Sequence, residues 1–149
     1  MKKIAFFLPI LIALVTILAS CGSADPSVKD KLTRVWTANM VTWGSTSVYS
    51  STSTSNTQAG YKNFSLTLTS TGSASLTEFD GNTFAGTWAL STDEKTLTIT
   101  FTGNAPTGLT NNQLSYSIAN PTTSSVTLTT TQALIKASNS TVTLTLASK

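Results

Sequence analysis

Apolar and polar residues alternate along most of the chain beyond residue 62. The clearest run is Thr96 to Thr102, where Leu97, Ile99 and Phe101 alternate with Thr96, Thr98, Thr100 and Thr102. A period of two places one set on each face of a β-strand. Asn63 to Thr69 repeats the pattern with Phe64, Leu66 and Leu68, and Thr141 to Leu146 repeats it with Val142, Leu144 and Leu146. Gln113 to Ala119 sends Leu114, Tyr116 and Ile118 inward, and Ser125 to Thr130 sends Val126 and Leu128 inward. Thr83 to Leu90 sets Phe84, Gly86, Trp88 and Leu90 on one face. Ser73 to Phe79 starts in phase with Ala74 and Leu76 and breaks at Glu78-Phe79, the signature of a bulge. The first strand, Val35 to Trp43, carries Trp36, Ala38 and Met40 in phase, with Val41 and Trp43 out of phase, so it bends or is buried on both sides.

Turn residues separate these runs. Asp80-Gly81-Asn82 supplies the positive-φ residues of a tight hairpin, Ser91 to Lys95 is a five-residue polar loop, and Asn120-Pro121 ends a strand. The pattern predicts an all-β fold: an antiparallel up-and-down meander of about eight strands. Each strand has one apolar and one Ser/Thr face, which suits a sheet wetted on one side. Closure as a barrel or half-barrel is favoured over a sandwich, because consecutive hairpins give no long crossover.

Three segments sit outside the pattern. Val28 to Arg34 has room for one or two helical turns, capped by Ser27 or Asp25. Ala133-Leu134-Ile135 reads as a short extra strand or a helical turn. Gly44 to Gly60 holds ten Ser or Thr in 17 residues. It reads as a solvated loop, a lid, or a polar hairpin around Ser47-Val48-Tyr49.

Composition sharpens this picture. Of 149 residues, 21 are Ser and 30 are Thr. Thr is β-branched and polar, so it fills the wet face of a strand without charge. There is one Cys and no His. Those counts exclude an intramolecular disulfide, a Cys-cluster or His-ligated metal site, and His-dependent nucleophilic catalysis. No cofactor is expected.

The N-terminus runs Met1-Lys2-Lys3, then Ile4 to Leu18 without charge. These 15 apolar residues are too few to span a bilayer, which takes about 20, and they have the form of a signal peptide. The segment Leu18-Ala19-Ser20-Cys21-Gly22 resembles the lipobox of bacterial lipoproteins. The resemblance implies cleavage before Cys21 and acylation of its thiol, with residues 1–20 as leader, 21–31 as a lipid-anchored tether and 32–149 as the β domain. Gly22, standing where an Asp would signal retention, implies the outer membrane. The net charge of +3 then falls to +1, because Lys2 and Lys3 leave with the leader. The basic excess is a targeting feature and gives no support for nucleic-acid binding.

Two segments resemble lipocalin-like lipoproteins of Gram-negative bacteria. Leu32-Thr33-Arg34-Val35-Trp36 is similar to that family's opening Leu-x-Gly-x-Trp, with Arg34 in place of the Gly. Phe84 to Ser91 followed by Lys95 to Ile99 looks like its Gly-x-Trp hairpin. The resemblance implies a small antiparallel barrel or half-barrel, often with no known ligand.

Trp36, Trp88, Phe101 and Tyr116 point inward on the pattern and are the candidate ligand-binding residues. Trp43, Tyr49 and Tyr61 flank the Ser/Thr-rich segment and are candidates for a surface platform that would stack on a glycan or protein. The carboxylates Asp80, Asp93 and Glu94 fall on hairpin tips and do not form the facing pair a glycosidase needs. The expected function is non-enzymatic: a lipid-anchored envelope protein that binds a small apolar ligand, or an interaction module that uses its loops.

Overall fold

The computed structural model describes residues 25–149; the leader and Cys21 lie outside the described residues. The strands are β1 (Val35–Trp43), β2 (Thr46–Ser50), β3 (Ser65–Leu68), β4 (Ser73–Thr77), β5 (Thr83–Leu90), β6 (Thr96–Phe101), β7 (Gln113–Ala119), β8 (Ser125–Thr130) and β9 (Val142–Ser148). A short helix α1 (Val28–Leu32) precedes them. Every expected strand is present, and β2 is an addition from the Ser/Thr-rich segment. All pairings are antiparallel, and β3 to β9 follow one another in sequence order.

Pairing of β1 with β9, from Trp36↔Ser148 to Trp43↔Val142, closes the sheet. The other edge of β1 is shared: Val35 to Thr37 pair with β3, and Met40 to Trp43 pair with β2. The result is an eight-stranded up-and-down barrel with β2 as an extra strand. Closure as a barrel removes the edges a sandwich would leave open.

The irregular phase of β1 has a local cause. Its register shifts between Ala38 and Met40 against β9, and between Val41 and Thr42 against β2. One extra residue reverses every later side chain. Met40, expected inside, is 47% exposed, and Val41 is fully buried. No bulge forms at Glu78-Phe79. There β4 ends at Thr77, and Glu78 opens the hairpin turn, its N–H donating to the Asn82 carbonyl at 2.8 Å.

Up-and-down winding sorts the connections to two ends. One end carries α1, the β3–β4, β5–β6 and β7–β8 turns, and the end of β9. It is plugged. The Ser27 hydroxyl caps α1 by accepting the Asp30 N–H at 3.1 Å. Five residues cannot hold a helix alone, and tertiary contacts supply the rest. Leu32 is fully buried, and the Trp36 Nε1–H donates to its carbonyl at 2.9 Å. The Arg34 guanidinium lies over the Trp36 ring, 5.6 Å from its centroid, and donates to the carbonyls of Asp30 and Thr123. Arg34 therefore ties α1 to the β7–β8 turn. The opposite end, the mouth, carries the β1–β3 connection and the β4–β5, β6–β7 and β8–β9 loops.

Candidate functional site

The barrel interior between the two ends is filled. Trp36, Trp88, Phe101 and Tyr116 are all buried, at 0%, 7%, 4% and 2% exposure. They do not ring a common cavity. Trp36 belongs to the plug. The Trp88 Nε1–H donates to the Thr69 carbonyl at 2.9 Å, which binds it to the β3–β4 turn at the same end. Phe101 packs edge-on against Phe84, with centroids 5.9 Å apart. Of the four, Tyr116 alone reaches the cavity described below. An eight-stranded barrel is just wide enough for its own side chains to fill, and three of the expected ligand residues are used in that way.

The surface platform is also corrected. Tyr49 and Tyr61 are buried, at 7% and 4%, and Trp43 is half-buried. Most residues of segment 44–60 are exposed, but Val48 and Tyr49 turn inward. β2 pairs with β1, burying Val48 and Tyr49. Asn56 then fixes the return: its Oδ1 accepts the Ser50 N–H at 2.7 Å, and its Nδ2 donates to the Ser50 and Ser53 carbonyls at 3.0 Å each. A 3-10 turn, Ala59–Asn63, delivers Tyr61 inward. Gly60 is needed there, because a Cβ would stand 2.2 Å from the Phe79 carbonyl oxygen. Tyr61 stacks on Phe79 at 4.9 Å, and the Trp43 Nε1–H donates to its hydroxyl at 3.0 Å. Burial pushes the Tyr61 phenol up to about 12, against the lowering effect of the Trp43 hydrogen bond.

Between this aromatic cover and the core lies a cavity of about 30 Å³, room for roughly two waters. Its walls are mostly apolar, among them Phe64, Leu76, Phe79, Leu114 and Val142. Polar groups enter it at few points. Thr130 is buried and satisfied, donating to the Gln132 carbonyl at 2.8 Å and accepting the Val142 N–H at 2.9 Å. Tyr116 lines the cavity, and no protein group among the described residues hydrogen-bonds its hydroxyl. Burial, reinforced by the nearby Glu78 charge, raises its pKa.

Glu78 and Lys136 also line the cavity, at its rim. Lys136 lies in a 3-10 turn, Ile135–Ala137, within the β8–β9 loop. Its ammonium contacts Glu78 Oε2 at 2.5 Å and Asp80 Oδ2 at 2.7 Å, and sits 5.9 Å from the Phe84 ring centroid. One lysine thus ties the β8–β9 loop to the β4–β5 turn across the mouth. The Glu78 side chain is only 12% exposed. Burial raises its pKa above the ordinary 4.5, although the Lys136 hydrogen bond and charge pull it back. The Lys136 hydrogen bond lowers the Asp80 pKa below 3.8. Lys136 itself is raised: burial works against its charge, and the two carboxylates outweigh it.

The signs of these shifts predict a pH profile. The folded state holds the Glu78 proton more tightly than the unfolded chain, so acidification towards 4.5 through its raised pKa adds stability. Asp80 contributes stability above 3.8, lost as pH falls through its lower folded value. Glu78→Gln should flatten the first limb and leave the second. Lys136→Met should cost about 1–3 kcal/mol at pH 7, between the value of an exposed and of a buried pair. Urea midpoints across pH read both effects. A first limb retained in Glu78→Gln would assign it to another group.

Sequence reasoning did not single out Glu78, Phe79 or Lys136 as site residues. A signal existed in the phase break at Glu78-Phe79, which marks where β4 leaves the wall and turns over the mouth. Asp93 and Glu94 lie exposed on the β5–β6 turn at the plugged end, as expected of turn residues. No group of three potential metal ligands occurs among the described residues.

Neither a protein-family model nor a curated protein sequence matches the chain. Solved structures do. A lipocalin-like protein from Bacteroides uniformis superposes with a TM-score of 0.54 at 13% identity, covering 80% of this chain and 99% of that one. An uncharacterised protein from Bacteroides eggerthii gives a TM-score of 0.50 at 10% identity, covering 79% and 99%. At such identities the likeness is one of fold: the chain is an all-β antiparallel barrel of lipocalin-like architecture.

Proposed function

We propose that this chain is a non-enzymatic, lipid-anchored protein of a bacterial envelope, held at the outer membrane through an acylated Cys21, whose barrel mouth receives one small, mostly apolar ligand. The observation that carries the reading is the mouth cavity: mostly apolar walls, lined also by Tyr116, whose hydroxyl has no hydrogen-bond partner among the described residues. A polar hydroxyl on a cavity wall with no protein partner is open to water or to a ligand group. Ligand pockets combine such walls with a few placed polar groups, and typically enclose about 300–1,000 Å³. The mouth is far smaller, so a ligand must displace side chains there, and its size is bounded by what the cover releases. The alternative, a module presenting loop aromatics to a glycan or protein, loses its surface with the burial of Tyr49 and Tyr61.

Native mass spectrometry of the mature protein, extracted from envelopes in mild detergent, tests the ligand. A stoichiometric co-purifying mass, lost when Leu114→Trp fills the cavity, is the expected result. An unoccupied chain whose thermal stability no envelope extract raises would overturn it. The anchor has a separate test. Cys21→Ala should abolish acyl labelling and leave the precursor uncleaved, and unchanged labelling would remove the anchor from the proposal.

A further inference from the structure

The rim of the cavity already holds an ammonium ion, and it belongs to the chain. Lys136 sits between Glu78 and Asp80 with the Phe84 ring nearby. Two carboxylates and one lysine leave this cluster at a net charge of −1. Lys62, in the neighbouring 3-10 turn, is exposed and forms no ion pair among the described residues. A cationic ligand would bring the cluster to neutrality, whereas an anionic one would take it to −2 in a half-buried site, where charges are screened least. Tyr116, a residue 2% exposed, lines the same cavity, and its hydroxyl has no hydrogen-bond partner among the described residues, which leaves its lone pairs free to accept. The rings of Tyr61 and Phe79 wall the same space, and aromatic faces attract cations.

We infer that the mouth takes a small apolar primary amine, whose ammonium replaces that of Lys136 beside Glu78, donates to the Tyr116 hydroxyl, and leaves its apolar body against the aromatic wall. Lys136 is then a resident competitor. Its flexible four-carbon stem lets the ammonium stay on Asp80 while a ligand ammonium takes its place on Glu78, and the cluster then carries no net charge. The inference rests on the mouth being the ligand site, and it adds the chemical class of the head group.

Three probes share one ring and differ in charge: cyclohexylamine, cyclohexanol and cyclohexanecarboxylate. Each is titrated at pH 7 into the mature protein in detergent, with the Trp43 indole N–H proton followed by NMR. That proton lies on Tyr61 and reports the mouth directly. The amine is expected to bind about tenfold more tightly than the alcohol, and the carboxylate most weakly. Glu78→Gln should remove the amine's advantage and leave the alcohol unchanged. Lys136→Met should strengthen the amine several-fold by removing its competitor. Equal binding of amine and alcohol, or a preference for the carboxylate, overturns the amine assignment and leaves the mouth as a ligand site. No response to any of the three overturns both.

Discussion

Replacing Trp36 with alanine should lower the unfolding free energy by about 3–5 kcal/mol, the range for deleting a large aromatic from a core. Trp36 is fully buried, its indole N–H satisfies the Leu32 carbonyl, and Arg34 lies over its face. The substitution removes the packing, leaves that carbonyl without its partner and takes away the surface on which Arg34 rests. α1 depends on the same contacts, because its five residues cannot sustain a helix. Trp36→Phe keeps most of the volume and loses the hydrogen bond, so it should cost roughly 1–3 kcal/mol. Denaturant unfolding measures both. A midpoint shift in Trp36→Ala that corresponds to less than about 1 kcal/mol would mean that the plug repacks and does not hold the barrel end.

Gly86→Ala should be nearly as damaging, at about 3 kcal/mol or more, beyond the usual cost of one added methyl group. A Cβ on Gly86 would stand 2.3 Å from the Thr100 carbonyl oxygen and 2.9 Å from the Phe101 Cα. These are backbone atoms of the paired strand, which cannot rotate away as a side chain would. β5 and β6 would have to separate at the Gly86↔Phe101 pair. Hydrogen exchange should show the loss first at the amides of these two strands. Protection equal to that of the native chain there would show that the close approach relaxes without cost.

The strands were legible because each has an inside and an outside, and alternation reports that directly. Leu97, Ile99 and Phe101 are all buried, as are Val142, Leu144 and Leu146. The reading failed where something beyond the strand decided burial. Met40 is exposed because an irregularity at residue 39 reverses the phase, and the sequence around Asn39 carries no mark of it. Tyr49 and Tyr61 look like loop aromatics in a Ser/Thr-rich stretch. They are buried because they turn inward at the mouth, a packing set by distant partners such as Phe79. The Glu78–Lys136 pair spans 58 positions, so neither residue has a local signal of the other. Tyr116 was visible as an inward residue, but nothing in its neighbours shows that the hydroxyl ends in a cavity while Trp36, Trp88 and Phe101 end in solid packing.

The chain enters the barrel at the plugged end, and this fixes an orientation. Four peptide steps separate Cys21 from Asp25 and reach at most about 14 Å. With Cys21 acylated, the α1 end would rest close to the bilayer surface, and the mouth would open on the far side, towards water. A ligand would then arrive from solution or from a facing partner, not by sliding sideways out of the leaflet that holds the anchor. So anchored, the protein would sample the aqueous compartment it faces, with the lipid serving only to hold it there.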